Sequence, residues 1–209
     1  MGYSLPNHDY AWAEYLKLEA ESEERYEYHD GEIVAMAGAT NRHNMLVPNL
    51  IVELKPASNR KGCQYYAESV KLFRFRSDRY LYPDGIITCN PLDLQTKNGV
   101  RNPLLVVEVI SDGSSKKDHS FKMRAYFKMP SLRHYLLVEQ VTCLVMHYRR
   151  HDSGLWDVLF YDEPDQVIEI PKLGVALSLS ALYAGIEFGP EVSEAEEAAA
   201  WYGVGEEEG

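Results

Sequence analysis

The chain has 209 residues, of which 45% are hydrophobic and 25% are charged, a composition that is typical of a globular protein and excludes collagen-like, low-complexity and wholly disordered chains. No segment is apolar over the length that a membrane helix needs, and the first ten residues lack the pattern of a signal peptide. The formal net charge of −11 argues against strong non-specific binding to DNA, although it leaves room for a local basic cleft.

The negative charge is concentrated near the C-terminus. Residues 189–209 contain seven glutamates and no lysine or arginine, so we expect an acidic, frayed tail after a single domain that spans residues 1–188. Two other segments, 55–79 and 116–133, are rich in lysine and arginine. Each of these basic segments fits either the lining of a cleft or an ordinary solvated face.

The three cysteines, Cys63, Cys89 and Cys143, are odd in number, far apart and outside any CxxC pattern. This usage predicts free thiols in a reducing compartment, and therefore a cytoplasmic protein.

Helical and strand patterns alternate along the chain. In chain order we predict a helix in the first 20 residues, a strand pair over 25–37 with its turn at 29–31, a helix from residue 40 or 41 towards 60, strands over 64–76, 80–89 and 104–110, a helix over 114–128, and strands over 135–138, 143–148, 156–161 and 167–170. Pro48 either kinks the second helix or marks its first turn. The order predicts an α/β fold with a mixed sheet, an N-terminal helix and hairpin, and a C-terminal β meander.

Glu108 is the most informative single residue, because it lies within an otherwise apolar run of seven residues, 104–110. Burial of a carboxylate in such a strand costs several kcal/mol unless a cation, a metal or hydrogen-bond donors compensate it. The alternative is a strand end at which Glu108 reaches solvent or a structural arginine.

Two other residues become candidates for the same site when they are considered together with Glu108. Asp84, between Pro83 and Gly85, reads as part of a turn when taken alone, but it precedes a neighbouring strand, and two such carboxylates can share Mg²⁺. Lys122 lies four residues after Asp118 on a predicted helix, which fits either a surface ion pair or a lysine that points at the carboxylates. Glu27, Glu32 and His43 are weaker candidates.

A set of motifs makes the chain resemble the Uma-two family of restriction-endonuclease-like bacterial proteins, from about residue 24 to residue 188. The motifs are Glu27-Tyr-His-Asp-Gly-Glu-Ile33, Met36-Ala-Gly38, His43-Asn44, Tyr82-Pro-Asp84, Asn102-Pro103, Val107-Glu-Val-Ile-Ser111, Asp118 with Lys122, Tyr126, and Pro130-Ser-Leu132 followed by Tyr135-Leu-Leu-Val138. The predicted order of helix, three strands, helix and strand is also that of the PD-(D/E)xK nuclease core.

The resemblance implies a role for each matching residue. Asp84 and Glu108 would hold Mg²⁺ or Mn²⁺ with the Val109 carbonyl as a third oxygen, and Lys122 would replace the lysine that the general motif has where this chain has Ile110. Glu27 or Glu32 would be an outer ligand, and His43 an accessory donor. The change from the family's Asp-Arg to Asp118-His119 leaves the carboxylates intact.

These observations lead to the prediction of a metal-dependent endonuclease that acts on DNA, has no membrane partner and forms a homodimer. A non-catalytic nuclease-fold protein that serves as an interaction or nucleic-acid-associated module is the alternative. Convergence of the Asp84, Glu108 and Lys122 side chains would favour the first hypothesis, and a Lys122 side chain in bulk solvent would favour the second.

Overall fold

The computed structural model describes residues 12–22, 24–29, 32–35, 39–73, 79–97, 99–110 and 116–189, except for the side chains of residues 12, 29, 79 and 116–119. The predicted turn at residues 30–31, the side chains of Asp118 and His119, and all but the first residue of the predicted acidic tail lie outside the described residues. Among the described helices, none combines the length and the apolar character that crossing a bilayer requires.

The described chain contains five α-helices, one 3-10 helix and twelve strands. The α-helices are α1 (Trp12–Glu21), α2 (Asn41–Arg60), α3 (Pro91–Gln95), α4 (Lys116–Phe127) and α5 (Leu179–Leu182), and the 3-10 helix is Pro171–Leu173. The strands are β1 (Tyr26–His29), β2 (Glu32–Ala35), β3 (Gln64–Ala67), β4 (Leu72–Phe73), β5 (Arg79–Leu81), β6 (Gly85–Thr88), β7 (Leu105–Ile110), β8 (His134–Glu139), β9 (Val145–Arg150), β10 (Trp156–Tyr161), β11 (Val167–Ile170) and β12 (Val175–Ser178).

The central sheet has six strands in the order β10-β9-β8-β7-β6-β3. Strands β7 and β8 are parallel and the other neighbours are antiparallel, which makes the sheet mixed, as predicted. All six residues of β7 are buried because α2 and the β11–β12 hairpin cover one face and α4 covers the other. The apolar run around Glu108 is therefore a strand buried on both faces.

Helix α2 begins where its sequence predicts. The Thr40 side chain caps the helix by accepting a hydrogen bond of 3.1 Å from the backbone N–H of His43. Leu46, Leu50 and Leu54 follow at helical spacing and are fully buried against the sheet. The helix continues through Pro48, so the alternative that Pro48 marks its first turn is wrong.

Two of the predicted strands are divided between sheets. A second sheet, in the order β2-β1-β5-β4, packs against α1 through the buried ring of Tyr15. Its strands β4 and β5 belong to the segments that were predicted as single strands over 64–76 and 80–89. The first of these segments turns at Glu68 and Ser69, which have positive φ angles of 36° and 57°, a conformation that ends regular pairing. The second breaks before β6, where Pro83 lacks an N–H to donate.

The C-terminal strands fall into two groups. Strands β8, β9 and β10 form a meander within the central sheet, whereas β11 pairs with β12 in a separate hairpin. Strand β12 and the short helices α3 and α5 were not predicted, because each has only four or five residues and depends on contacts with the rest of the chain.

The prediction of three free thiols is wrong. Cys63 precedes β3 and Cys89 follows β6, and the pairing of Gln64 with Thr88 places the two cysteines opposite each other with their Cα atoms 4.1 Å apart, joined by a disulfide. Cys143 is the free cysteine. The two cysteines are 26 residues apart, and the sequence does not predict their pairing because cross-strand register cannot be read from cysteine spacing. The expectation of a cytoplasmic location loses the support that free thiols would give it.

We expect one reactive thiol per chain when the protein is denatured without reductant, and three after reduction. The count follows from the Cys63–Cys89 disulfide and is measured with a chromogenic thiol reagent. Cys143→Ser is the control and should leave no reactive thiol before reduction. Three thiols in unreduced parent protein would contradict the disulfide.

Candidate metal and nuclease site

Three carboxylate residues lie side by side across the central sheet. Strand pairing matches Ala67 with Gly85 and Gly85 with Val107, and one further step along the same registers matches Glu68 with Asp84 and Asp84 with Glu108. A hydrogen bond of 3.1 Å from the Glu68 backbone N–H to the Asp84 carbonyl supports the first match. The carboxylates thus come from the end of β3, the start of β6 and the interior of β7, three segments that are separated in the sequence.

Asp84 is held by a contact on each of its carboxylate oxygens. Oδ2 accepts a hydrogen bond of 2.7 Å from the Val109 backbone N–H, and Oδ1 lies 3.0 Å from His43 Nε2. The N–H and C=O of one strand residue point to the same side, so the Val109 carbonyl faces the Asp84 side of β7 as well. This is the direction that a third oxygen ligand requires.

Glu108 is buried, with 7% of its surface exposed, on the face that α4 covers. The Tyr126 hydroxyl donates a hydrogen bond to Oε1, and Lys122 Nζ lies 3.5 Å from Oε2. Burial raises the pKa of Glu108 to about 8, because the charge of Lys122 only partly opposes it while the negative charges of Asp84 and Glu27 add to it. The charge of Lys122 therefore does not keep the pKa of Glu108 at its ordinary value.

Lys122 links Glu108 to a second buried carboxylate. Its Nζ lies 3.0 Å from Oε1 of Glu27, a residue of β1 that is only 5% exposed, and the same oxygen accepts the Tyr82 backbone N–H at 3.1 Å. The Lys122 side chain is 13% exposed. It therefore points towards the carboxylates, as the catalytic hypothesis requires, and not into bulk solvent.

His43 and Glu68 complete the surroundings of Asp84. One ligand atom from each of His43, Glu68 and Asp84 lies within 4.8 Å of the others. Burial by itself would lower the pKa of His43, but the hydrogen bond and charge of Asp84, aided by the charges of Glu68 and Glu108, outweigh burial and raise it. The raised pKa of the imidazole therefore results from the negative charges of Asp84, Glu68 and Glu108.

Most of the residues predicted for the site lie together in the structure. They are Asp84, Glu108, Val109, Lys122, Glu27 and His43. Glu32 is exposed on β2 opposite His29 and takes part in none of these contacts, so Glu27 is the acidic residue of the first hairpin that contacts the cluster.

Two residues of the cluster were not predicted. Tyr126 lies four residues after Lys122 and therefore on the same helix face, a spacing that could have identified it. Glu68 carries no comparable sequence signal, because its position depends on the β3–β6 register.

Two of the cavities among the described residues are lined by side chains other than the carboxylates of this cluster. The larger, of about 240 Å³, is lined by Glu19, Lys71 and their neighbours, and the other, of about 160 Å³, lies beside Tyr135 and Tyr148. Residues 36–38 and 111–115, which directly follow β2 and β7, are outside the described residues.

Tyr126→Phe should lower the free energy of unfolding by about 1–3 kcal/mol, since it removes a donor from a buried carboxylate. Urea unfolding measures the loss. Tyr161→Phe is a matched control, because that hydroxyl makes no hydrogen bond to a described residue. The loss should shrink in a Glu108→Gln background, where the carboxylate is absent. Equal effects of the Tyr126 and Tyr161 substitutions would contradict the contact.

Comparison with known proteins identifies relatives of this chain. The chain is 30% identical over 175 residues to the uncharacterized protein slr1290 of Synechocystis sp., covering 84% of this chain and 92% of that protein. It is 31% identical to the uncharacterized protein sll1609 of the same organism, covering 69% of this chain and 82% of that protein.

A crystal structure of "a putative nuclease belonging to DUF820" from Anabaena variabilis superposes with a TM-score of 0.68 at 18% identity, over 84% of this chain and 98% of that one, which confirms the fold class. The model of the Uma2 family, described as "Putative restriction endonuclease", matches residues 12–181. The chain therefore belongs to the Uma2 family of restriction-endonuclease-like proteins.

Proposed function

We propose that this protein is a divalent-metal-dependent endonuclease that hydrolyses phosphodiester bonds in DNA. The observation that carries the proposal is the pair of Asp84 and Glu108 on neighbouring strands, with Lys122 at 3.5 Å from Glu108. The choice of DNA as the partner rests on the family description, which names restriction endonucleases.

The residues present suit a hard divalent cation. Asp84, Glu108 and the Val109 carbonyl offer oxygen atoms, which Mg²⁺ and Mn²⁺ prefer. The raised pKa of Glu108, caused by burial beside Asp84 and Glu27, indicates a local shortage of positive charge that a divalent ion would relieve. When bound, such an ion supplies Lewis acidity towards the phosphate and lowers the pKa of a coordinated water.

The protein's own groups hold this arrangement in place. Tyr126 orients the carboxylate of Glu108, and the Val109 N–H orients that of Asp84. Glu27 anchors the ammonium of Lys122, which is thereby directed towards the carboxylates. In this position Lys122 would orient the attacking water or stabilise the negative charge that develops on the phosphate in the transition state. The contacts of Lys122 favour this function over a non-catalytic module.

A cleavage assay tests the proposal. Supercoiled, linear duplex and single-stranded DNA are incubated with the protein in Mg²⁺, in Mn²⁺ and in chelator. We expect metal-dependent cleavage of at least one DNA form, and a loss of several orders of magnitude in Glu108→Gln. Glu169→Gln, on the exposed side of β11, is the matched control and should cleave like the parent. No cleavage of any form by the parent, or full activity of Glu108→Gln, would refute the proposal.

Lys122→Met should leave Mn²⁺ affinity within a small factor and lower turnover by about two orders of magnitude or more, because the ammonium acts on water and phosphate. Calorimetric titration with Mn²⁺ and single-turnover cleavage measure the two effects. The substitution also removes the ammonium that contacts the buried carboxylate of Glu27, so Glu27→Gln/Lys122→Met is the companion variant to use if Lys122→Met does not fold. Unchanged turnover in a folded variant would exclude the catalytic role of Lys122.

A further inference from the structure

The three ligand atoms of His43, Glu68 and Asp84 lie within 4.8 Å of one another although they come from separate parts of the fold. His43 lies in the first turn of α2, where the Thr40 cap fixes the backbone N–H of the same residue. Glu68 directly follows β3, and Asp84 directly precedes β6. The first turn of α2 and the residues flanking two strands therefore bring one imidazole and two carboxylates, of which that of Glu68 is exposed, around one point.

This group is distinct from the oxygen ligands assigned to the first cation. Asp84 directs Oδ1 towards His43, and its Oδ2 accepts the Val109 N–H on the β7 side. Among the described residues, Glu108 contributes no atom to the group that contains His43 and Glu68. Asp84 is therefore placed between two sets of ligands and belongs to both.

A buried hydroxyl beside the group supplies an independent indication of a ligand. Tyr65 is only 3% exposed, and its hydroxyl has no hydrogen-bond partner among the described residues. The hydroxyl is directed at Gly85, next to Asp84, and comes so close that a Cβ on Gly85 would lie 2.6 Å from it. Burial, together with the negative charges of Asp84 and Glu68, raises the pKa of Tyr65.

An unsatisfied buried hydroxyl costs about 1–3 kcal/mol, and this cost is relieved when the hydroxyl finds an acceptor. The carboxylates whose charge acts on Tyr65 do not accept its proton in a hydrogen bond. A water molecule or a phosphate oxygen held by a cation at His43, Glu68 and Asp84 would supply the missing acceptor. The unsatisfied hydroxyl of Tyr65 therefore indicates that the group of His43, Glu68 and Asp84 holds a ligand.

We propose that His43, Glu68 and Asp84 form a second divalent-cation position that shares Asp84 with the first and takes Mn²⁺ in preference to Mg²⁺. The preference follows from the imidazole, because nitrogen ligands suit transition metals while Mg²⁺ favours oxygen ligands and retained water. The inference rests on the proposed function only through Asp84, the shared ligand. Two adjacent divalent ions are an arrangement that suits the in-line displacement of a phosphodiester.

Pulsed electron paramagnetic resonance of the protein with bound Mn²⁺ tests the nitrogen ligand directly. We expect electron spin echo modulation from one imidazole nitrogen, which disappears in His43→Asn. The matched control is His151→Asn, since His151 is exposed and paired with Asp157 outside the site, and this variant should keep the signal. No nitrogen modulation in the folded parent protein would overturn the proposal.

Counting bound ions separates this proposal from the proposed function. Equilibrium dialysis should give two Mn²⁺ per parent chain and one each for Glu68→Gln and Glu108→Gln, with melting curves to confirm folding. Loss of one ion in Glu108→Gln but none in Glu68→Gln overturns the second position and leaves the proposed function intact. Loss in Glu68→Gln but none in Glu108→Gln supports the second position and contradicts the proposed first one.

Competition with Mg²⁺ tests the metal preference. Glu108→Gln retains the ion at the second position, and Glu68→Gln retains the ion at the first. We expect that displacing the ion at the second position requires an Mg²⁺ concentration at least tenfold higher than displacing the ion at the first. Equal displacement of the two ions would overturn the preference for Mn²⁺.

Discussion

The contact between one lysine and two buried carboxylates is the interaction on which this site depends. Glu27 and Glu108 lie on strands of different sheets, and Lys122 reaches both of them from α4. Each of these charges would be costly to bury alone, because a neutral environment does not compensate the free energy of hydration that the charge loses. Their mutual contact therefore couples the N-terminal hairpin, the central sheet and α4 at one point.

Among the described residues at that point, negative charge exceeds positive charge. The carboxylates of Glu108, Asp84 and Glu27 are close enough to raise the pKa of Glu108 further, and Lys122 offsets burial only in part. Groups with strongly shifted pKa values cluster at functional sites, and a bound cation would offset such an excess of negative charge. This excess connects the architecture of the sheet with the metal-dependent chemistry proposed for it.

Strand register controls which carboxylates meet. The disulfide between Cys63 and Cys89 closes one end of the β3–β6 pair, and Glu68 and Asp84 lie at the other end in the same register. A shift by one residue would move every side chain of β3 to the opposite face. The covalent bond therefore secures the alignment that brings Glu68, His43 and Asp84 together.

The sequence by itself determined the class of fold, the second helix and the acidic residues with the strongest claim to the site. Local patterns were sufficient for these features, since Glu108 is unusual within an apolar strand and Thr40 is a recognisable cap. Through the family resemblance, the motif that contains Lys122 also led to the prediction that Lys122 replaces the lysine of the general nuclease motif.

Only the tertiary structure decided the features that depend on pairing between distant segments. The disulfide and the place of Glu68 beside Asp84 follow from strand register, and the choice of Glu27 over Glu32 follows from the contact of Glu27 with Lys122 of α4. The β3–β6 register has no local signature, because β4 and β5 lie between these two strands in the sequence. The unpaired hydroxyl of Tyr65 became visible for the same reason, because hydrogen-bond satisfaction is a property of the folded neighbourhood and not of the residue.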